Sequence, residues 1–212
     1  MKKSGRRSGR TKKKDGARRD AINTSARELF QKKGYQSTTI DQVARNAGYS
    51  KRTVYLEFSN KDDLFLSIAT DGLEIIIGEL ENIPRESISL EEYIKRYVEV
   101  IADFSKTHND YFRLLAFEVT PKVIENSSET QRERALAIEY NGVKLIADQI
   151  DNAIQQKMIP PTDSWEAAEV IIGSIVGILV IAMGGSQTIL NHERLKAKVL
   201  KAGELLYKGL LK

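Results

Sequence analysis

Three helix-start signals fall within 21 residues of one another, and they leave little freedom for the chain between them: Thr39-Ile-Asp-Gln42, Ser50, and Ser59-Asn-Lys-Asp62. A Ser or Thr followed three residues later by Gln or an acid lets the side chains satisfy backbone amides that a helix start leaves exposed. Gly34 and Gly48 stand where a left-handed residue ends a helix. Two helices of about two turns each are therefore predicted between residues 39 and 58, joined by a turn containing Gly48. Helices that short gain most of their stability from packing. The spacing of Ile22, Ala26, Leu29 and Phe30 predicts a preceding helix with one apolar stripe, and Ile40, Val43, Ala44, Ala47, Val54 and Phe58 fall on faces that can meet it. A long fourth helix is expected from about residue 60.

The second short helix, residues 50–57, is narrow enough to enter a DNA major groove. With its apolar positions packed inward, Ser50, Lys51, Arg52, Thr53 and Tyr55 face out. Lys51 and Arg52 suit guanine edges or phosphates, Thr53 a base or a phosphate, and Tyr55 can donate its hydroxyl to the DNA backbone. Thr39 and Lys61 open helices whose first amides favour a phosphate. Charge points the same way. Residues 1–61 hold 17 basic and 5 acidic residues, a net +12, whereas residues 62–212 hold 16 and 24, a net −8. A polyanion should meet the first end.

Helical spacing continues to the C-terminus. Ser89-Leu-Glu-Glu92 opens a helix carrying Ile94, Tyr97, Val98, Ile101 and Phe104, which a polar break at Thr107–Asp110 closes. Tyr111 to Ile124 follows, interrupted by Pro121. Ser128-Glu-Thr-Gln131 opens a long helix with Leu136, Tyr140, Val143, Ala147, Ile150 and Ile154 as its apolar face. Asp163-Ser-Trp-Glu166 starts an apolar helix to Gly184-Gly185, and the last helix carries Leu195, Val199, Ala202, Leu206 and Leu210. The expected fold is all-α, with about nine helices: an N-terminal three-helix DNA-binding domain with a helix-turn-helix, and a larger C-terminal helical bundle. The expected division is a basic, unstructured tail over 1–15, a DNA-binding domain over 16–76 and a sensing and dimerisation domain over 77–212.

Several classes are disfavoured. The chain lacks cysteine, a phosphate-binding G-x-x-x-x-G-K loop, H-E-x-x-H and a G-x-S-x-G elbow, so no enzyme chemistry and no cofactor are expected. His108 and His192, isolated from each other, make no metal set. The charge-free run from Val170 to Gly185 is 16 residues, short of the roughly twenty that span a bilayer, and the basic start is followed by no apolar stretch of a signal peptide. A cytoplasmic protein away from the membrane is expected. The alternatives are a membrane-associated helical protein, resting on that run and the tail, and a nonspecific architectural DNA-binding protein.

The stretch Ala26-Arg-Glu-Leu-Phe30, Gly34-Tyr35, Thr38-Thr39, Val43-Ala44, Ala47-Gly-Tyr-Ser50, Thr53-Val-Tyr55, Phe58, Asn60-Lys61 and Leu64-Phe65 resembles the TetR family of transcriptional regulators. The resemblance spans about residues 18–66. It implies a repressor-like homodimer bound to double-stranded operator DNA, with Thr39, Ser50, Lys51, Thr53, Tyr55 and Lys61 as DNA contacts. It also implies pairing of the last two helices, about 164–185 and 191–211, with their copies, where the Gly173/Gly177 spacing suits close approach. A small-molecule effector is expected to release the DNA by changing the spacing of the paired recognition helices. Tyr97, Phe104, Tyr111, Phe112, Phe117, Tyr140 and Trp165 are the candidates to line its pocket. Two residues depart from the family pattern: Arg52 stands at a usual Gly or Pro, and Glu57 at a usual Tyr or His that touches the DNA backbone. Glu57 beside a phosphate would be repulsive, so a partner is expected for it, Arg52 or Lys51.

Overall fold

A computed structural model describes residues 6–184 and 192–212, with side chains from 16 to 183 and from 192 to 212. It is helical throughout: α1 (Arg6–Lys33), α2 (Ile40–Asn46), α3 (Lys51–Glu57), α4 (Lys61–Glu81), α5 (Leu90–Thr107), α6 (Asn109–Arg113), a π-helical segment (Leu114–Glu118), α7 (Pro121–Asn126), α8 (Glu129–Gln155), α9 (Ser164–Gly184) and α10 (His192–Leu210). Ten α-helices among the described residues replace the nine expected, because Tyr111–Ile124 is not one element. Pro121 cannot donate to a preceding turn and so starts a helix of its own, with Thr120 as its cap, accepting from the Val123 amide at 3.3 Å. At the other end, α1 begins at Arg6, within the tail expected to lack structure. Lys and Arg are good helix formers, and a helix nucleated further along propagates into them. Residues 1–5 of that tail, and Gly185 of the expected glycine stop, lie outside the described residues.

The chain divides into two compact units. One takes the residues up to Ala69 together with Glu118–Arg132, and the other takes Thr70–Phe117 and Glu133–Lys212. In the first, α1 buries Ile22, Ala26 and Phe30 against Val43 and Ala44 of α2, Val54 of α3, Phe58, and Leu64, Phe65 and Ile68 of α4. Phe30, Tyr35 and Phe65 meet edge-on or tilted, with centroids 4.8–5.7 Å apart. Gly34, at φ +80°, ends α1, its amide donating to the Phe30 carbonyl at 2.8 Å. The buried Ser25 hydroxyl donates to the Val43 carbonyl at 3.1 Å and ties α1 to α2.

In the second unit, α5 buries Tyr93, Ile94, Tyr97, Val98, Ile101 and Phe104 on one face. The face of α8 matches the expected one in part: Ala147 and Ile150 are buried and Val143 and Ile154 half-buried, but Leu136 and Tyr140 are exposed, and Gly142, Leu145, Ile146, Gln149 and Ala153 are buried as well. Tyr140 lies instead on Trp165 of α9, ring centroids 4.8 Å apart. Against α5, α10 buries Leu195, Val199 and Gly203, and Gly203 lets it come close enough for an added Cβ to sit 3.1 Å from Val98 Cγ2. Asp103 of α5 binds Lys196 at 2.7 Å and faces His192 at 3.3 Å; burial pushes its carboxyl up, but the Lys196 ammonium and the hydrogen bond with His192 outweigh that and hold it below its usual value. By length and composition, α9 could cross a membrane over Ser164–Met183, with mean hydropathy 2.1. The window exceeds the charge-free run because it takes in Glu166 and Glu169.

Two glycines of this unit separate tolerance from strain. A Cβ at Gly142 would meet only the mobile end of Ile77 at 2.9 Å, but at Gly72 it would meet the Cβ and ring of Tyr111 at 2.8–2.9 Å. Gly72→Ala is expected to cost about 1–3 kcal/mol by overpacking, and Gly142→Ala much less, as measured by chemical denaturation of the two variants side by side.

Candidate nucleic-acid interface

The two short helices form as their local chemistry requires. Thr39 caps α2 reciprocally: its hydroxyl accepts from the Gln42 amide at 3.3 Å, and the Gln42 side chain accepts from the Thr39 amide at 3.1 Å. Gly48 turns the chain at φ +74°. Ser50 caps α3 by accepting from the Thr53 amide at 3.1 Å. Val54 and Phe58 anchor α3 to the core with essentially no exposure.

That anchoring sets what α3 presents. Ser50, Lys51, Arg52 and Tyr55 are exposed, and Thr53 is half-buried with its hydroxyl 2.8 Å from that of Ser50. Thr39 is exposed at the head of α2. Lys51 reaches across the turn to Asp41 at 3.1 Å. Lys61 is turned inward, donating to the Tyr35 carbonyl at 3.0 Å with its ammonium 4.1 Å from the centre of the Tyr35 ring. The structure thus gathers Ser50, Lys51, Arg52, Thr53 and Tyr55 on one short helix, puts Thr39 at the start of the neighbouring helix, and engages Lys61 with Tyr35. Two exposed apolar residues of this surface escaped the sequence reading: Tyr49 in the turn, and Leu56, 71% exposed. Leu56 lies one turn beyond Arg52, and that spacing was the available signal.

Glu57 has a different partner from the one expected. Neither Lys51 nor Arg52 holds it; Arg18 of α1 does, with Nε 2.6 Å from Glu57 Oε1 and Nη2 bonded to the same oxygen. The next residue, Arg19, lies 4.4 Å over the Phe58 ring and donates to Ser67 at 3.2 Å.

Behind α3, the first turn of α4 is a junction. Asn60, not Ser59, caps it, accepting from the Asp63 amide at 2.8 Å. The buried Asp63 carboxylate accepts from the Ser59 amide at 2.9 Å, the Ser128 amide at 3.0 Å and the Ser128 hydroxyl at 2.6 Å. Asn126 donates to Asp62 at 3.0 Å, and its carbonyl accepts from Asn60 at 2.8 Å. Asp62 also accepts from the Tyr35 hydroxyl, and burial and that carboxylate push the Tyr35 pKa up.

The sensing candidates are scattered. Tyr97, Phe104, Tyr111 and Phe112 are buried, with the Tyr97 hydroxyl donating to the Gly142 carbonyl at 3.1 Å; Phe117 and Tyr140 are exposed, and Trp165 is half-buried. A cleft of about 830 Å³ in the second unit is lined instead by Arg85, Asp148, Asn152 and Met158 among others. Among the described residues no cluster of His and acids could hold a metal.

A capped, two-turn helix presenting cations, hydroxyls and a tyrosine from a basic helical unit is the recognition element of a helix-turn-helix DNA-binding regulator. Residues 22–68 match the bacterial regulatory proteins of the tetR family. Two curated relatives are an uncharacterised HTH-type transcriptional regulator, YhgD, of Bacillus subtilis, 26% identical over 76% of this chain and 82% of its own, and the HTH-type transcriptional activator FasR of Mycolicibacterium smegmatis, 24% identical over 84% and 74%. The fold is similar to that of the fatty acid degradation regulator FadR of Bacillus halodurans, with TM-score 0.71 and 17% identity over 97% of this chain and 96% of that one. The FadR of Bacillus subtilis, solved with stearoyl-CoA, gives 0.70 and 20% over 86% and 96%. The tetR-family match is confined to residues 22–68, and the chain is a DNA-binding transcriptional regulator similar to members of that family.

Asp63→Ala would leave the Ser59 and Ser128 amides without their acceptor, and a loss of at least about 2 kcal/mol is expected on chemical denaturation. The exposed Lys51–Asp41 pair offers a contrast, since Asp41→Ala should cost under about 1 kcal/mol.

Proposed function

We propose that the protein is an operator-binding repressor that acts as a homodimer and leaves its DNA when a small-molecule effector binds. The observation that carries the reading is α3 itself. Its buried edge is Val54 and Phe58, its outward face is Ser50, Lys51, Arg52, Thr53 and Tyr55, and it sits in the segment with net charge +12. Arg52 is the residue best suited to a bidentate contact with a guanine edge. Tyr55, Thr39 and Ser50 suit phosphates, and Lys51 and Lys61 reach phosphates by exchanging Asp41 and Tyr35 for DNA. Leu56 adds an apolar surface of the kind that meets a thymine methyl group.

Dimerisation is assigned to about residues 164–185 and 191–211. Only 22% of the apolar α9 window is buried within the chain. Val170, Ile181 and Leu205 are exposed, and a Cβ built at Gly173 or Gly177 would meet nothing within 4 Å. A bare apolar face of that extent calls for a cover, and a second copy supplies one while pairing two recognition helices. Residues 16–76 are the DNA-reading domain and 77–212 the sensing and pairing domain, working in the cytoplasm where the chromosome is.

Release follows if the effector prefers a state whose recognition helices no longer match half-sites about 34–36 Å apart. Tyr97, Phe104, Tyr111 and Phe112 are the core aromatics that such a ligand would displace or contact, with Phe117, Tyr140 and Trp165 further out. Acyl-CoA thioesters are the first effectors to try, because the similar fold of Bacillus subtilis FadR was solved with stearoyl-CoA.

Selection of bound fragments from genomic DNA tests the reading. The expected result is a two-fold symmetric site bound orders of magnitude more tightly than bulk DNA; binding without sequence preference would overturn it in favour of an architectural role. On the selected site, Arg52→Ala should cost about 1–3 kcal/mol and relax the preference at one base pair of each half-site, measured by titration against operator variants.

A further inference from the structure

On electrostatic grounds Glu57 is misplaced. It puts a carboxylate at the C-terminal end of α3, where the helix dipole is already negative, and on the element that carries the DNA-facing cations. It is nonetheless largely buried, with its side chain 13% exposed, and Arg18 reaches it from 39 residues away through two nitrogens. The function of this arrangement follows from how α3 is otherwise held.

The apolar anchors of α3 are Val54, its one buried residue, and Phe58, the extended cap whose amide donates to the Val54 carbonyl at 3.0 Å. A seven-residue helix held by two anchors so close together can rock about them, and rocking would move Arg52 and Tyr55 across the groove. Glu57 is the last residue of the helix, immediately before the Phe58 cap. Arg18 meets it there with Nε and Nη2 on one carboxylate oxygen, a charge-assisted tie to α1 that resists the rotation. Arg19, packed on Phe58 and bonded to Ser67, holds the same stretch of α1 against α4. The arginines thus brace the recognition helix from the side opposite its reading face.

We propose that Arg18 and Glu57 form a positioning pair for operator recognition: the pair sets the tilt of the recognition helix, and Glu57 contributes through Arg18 rather than by touching DNA. The inference rests on α3 being the DNA-reading element. It inverts the sign that charge alone would give. Removing a carboxylate from a DNA-binding surface should tighten all DNA binding; removing a brace should weaken binding to the operator only.

The experiment titrates the full chain against the selected operator and against a scrambled duplex of the same length, for the unaltered protein, Glu57→Gln, Arg18→Gln and the double variant. Circular dichroism confirms folding of each variant, and the double variant removes both charges together so that neither is left unpaired. Glu57→Gln is expected to bind the operator about ten-fold more weakly or worse, with affinity for the scrambled duplex equal or higher. The double variant should be no weaker on the operator than Arg18→Gln, because the two residues act as one unit. Operator affinity for Glu57→Gln equal to or tighter than that of the unaltered protein would overturn the pair's role, as would additive losses in the double variant. If the unaltered protein does not distinguish operator from scrambled DNA, the DNA-reading assignment fails instead.

Discussion

One buried carboxylate, Asp63, joins three parts of the chain that sequence keeps apart. It fixes the Ser59 amide that ends the recognition segment, stands in the first turn of α4, and takes both the amide and the hydroxyl of Ser128 at the head of α8. A carboxylate removed from water is costly unless its lone pairs are filled, so these donors must remain in place together. This explains why Glu118–Arg132, remote in sequence, belongs to the same compact unit as the helix-turn-helix.

The aromatic group of Phe30, Tyr35 and Phe65 gives that unit its interior, and Val54 and Phe58 attach the recognition helix to it. The outward face of α3 is the consequence of these attachments: once the apolar edge is committed inward, cations and hydroxyls are what remain. The brace from Arg18 and Arg19 supplies a fixed angle that apolar packing at two close anchors does not.

How much of this could be read from the sequence depended on range. Caps at Thr39, Ser50, Ser89 and Asp163 were legible because a cap is settled within four residues. At Ser59 two adjacent residues could each serve, and Asn60 took the role. Ser128 had the spacing of a cap, but its hydroxyl is given to Asp63, 65 residues away, which no local pattern announces. The partner of Glu57 was sought on its own helix for the same reason and lies on α1. On α8 the expected face holds at Ala147 and Ile150 and fails at Leu136 and Tyr140, because helical spacing is the same whether a residue faces the core or the outside, and the neighbour that occupies Tyr140, Trp165, comes from another helix. Of the candidate site, the outward placement of Ser50, Lys51, Arg52 and Tyr55 was legible, while the exposure of Leu56 and the inward turn of Lys61 onto Tyr35 required the fold.

Entry of α3 into the major groove is reported directly by protection of guanine N7 from methylation. With the full chain bound to its selected operator, two patches of protected N7 are expected about one helical turn apart, centre to centre. Tight binding that leaves every N7 as reactive as in free DNA would contradict groove entry.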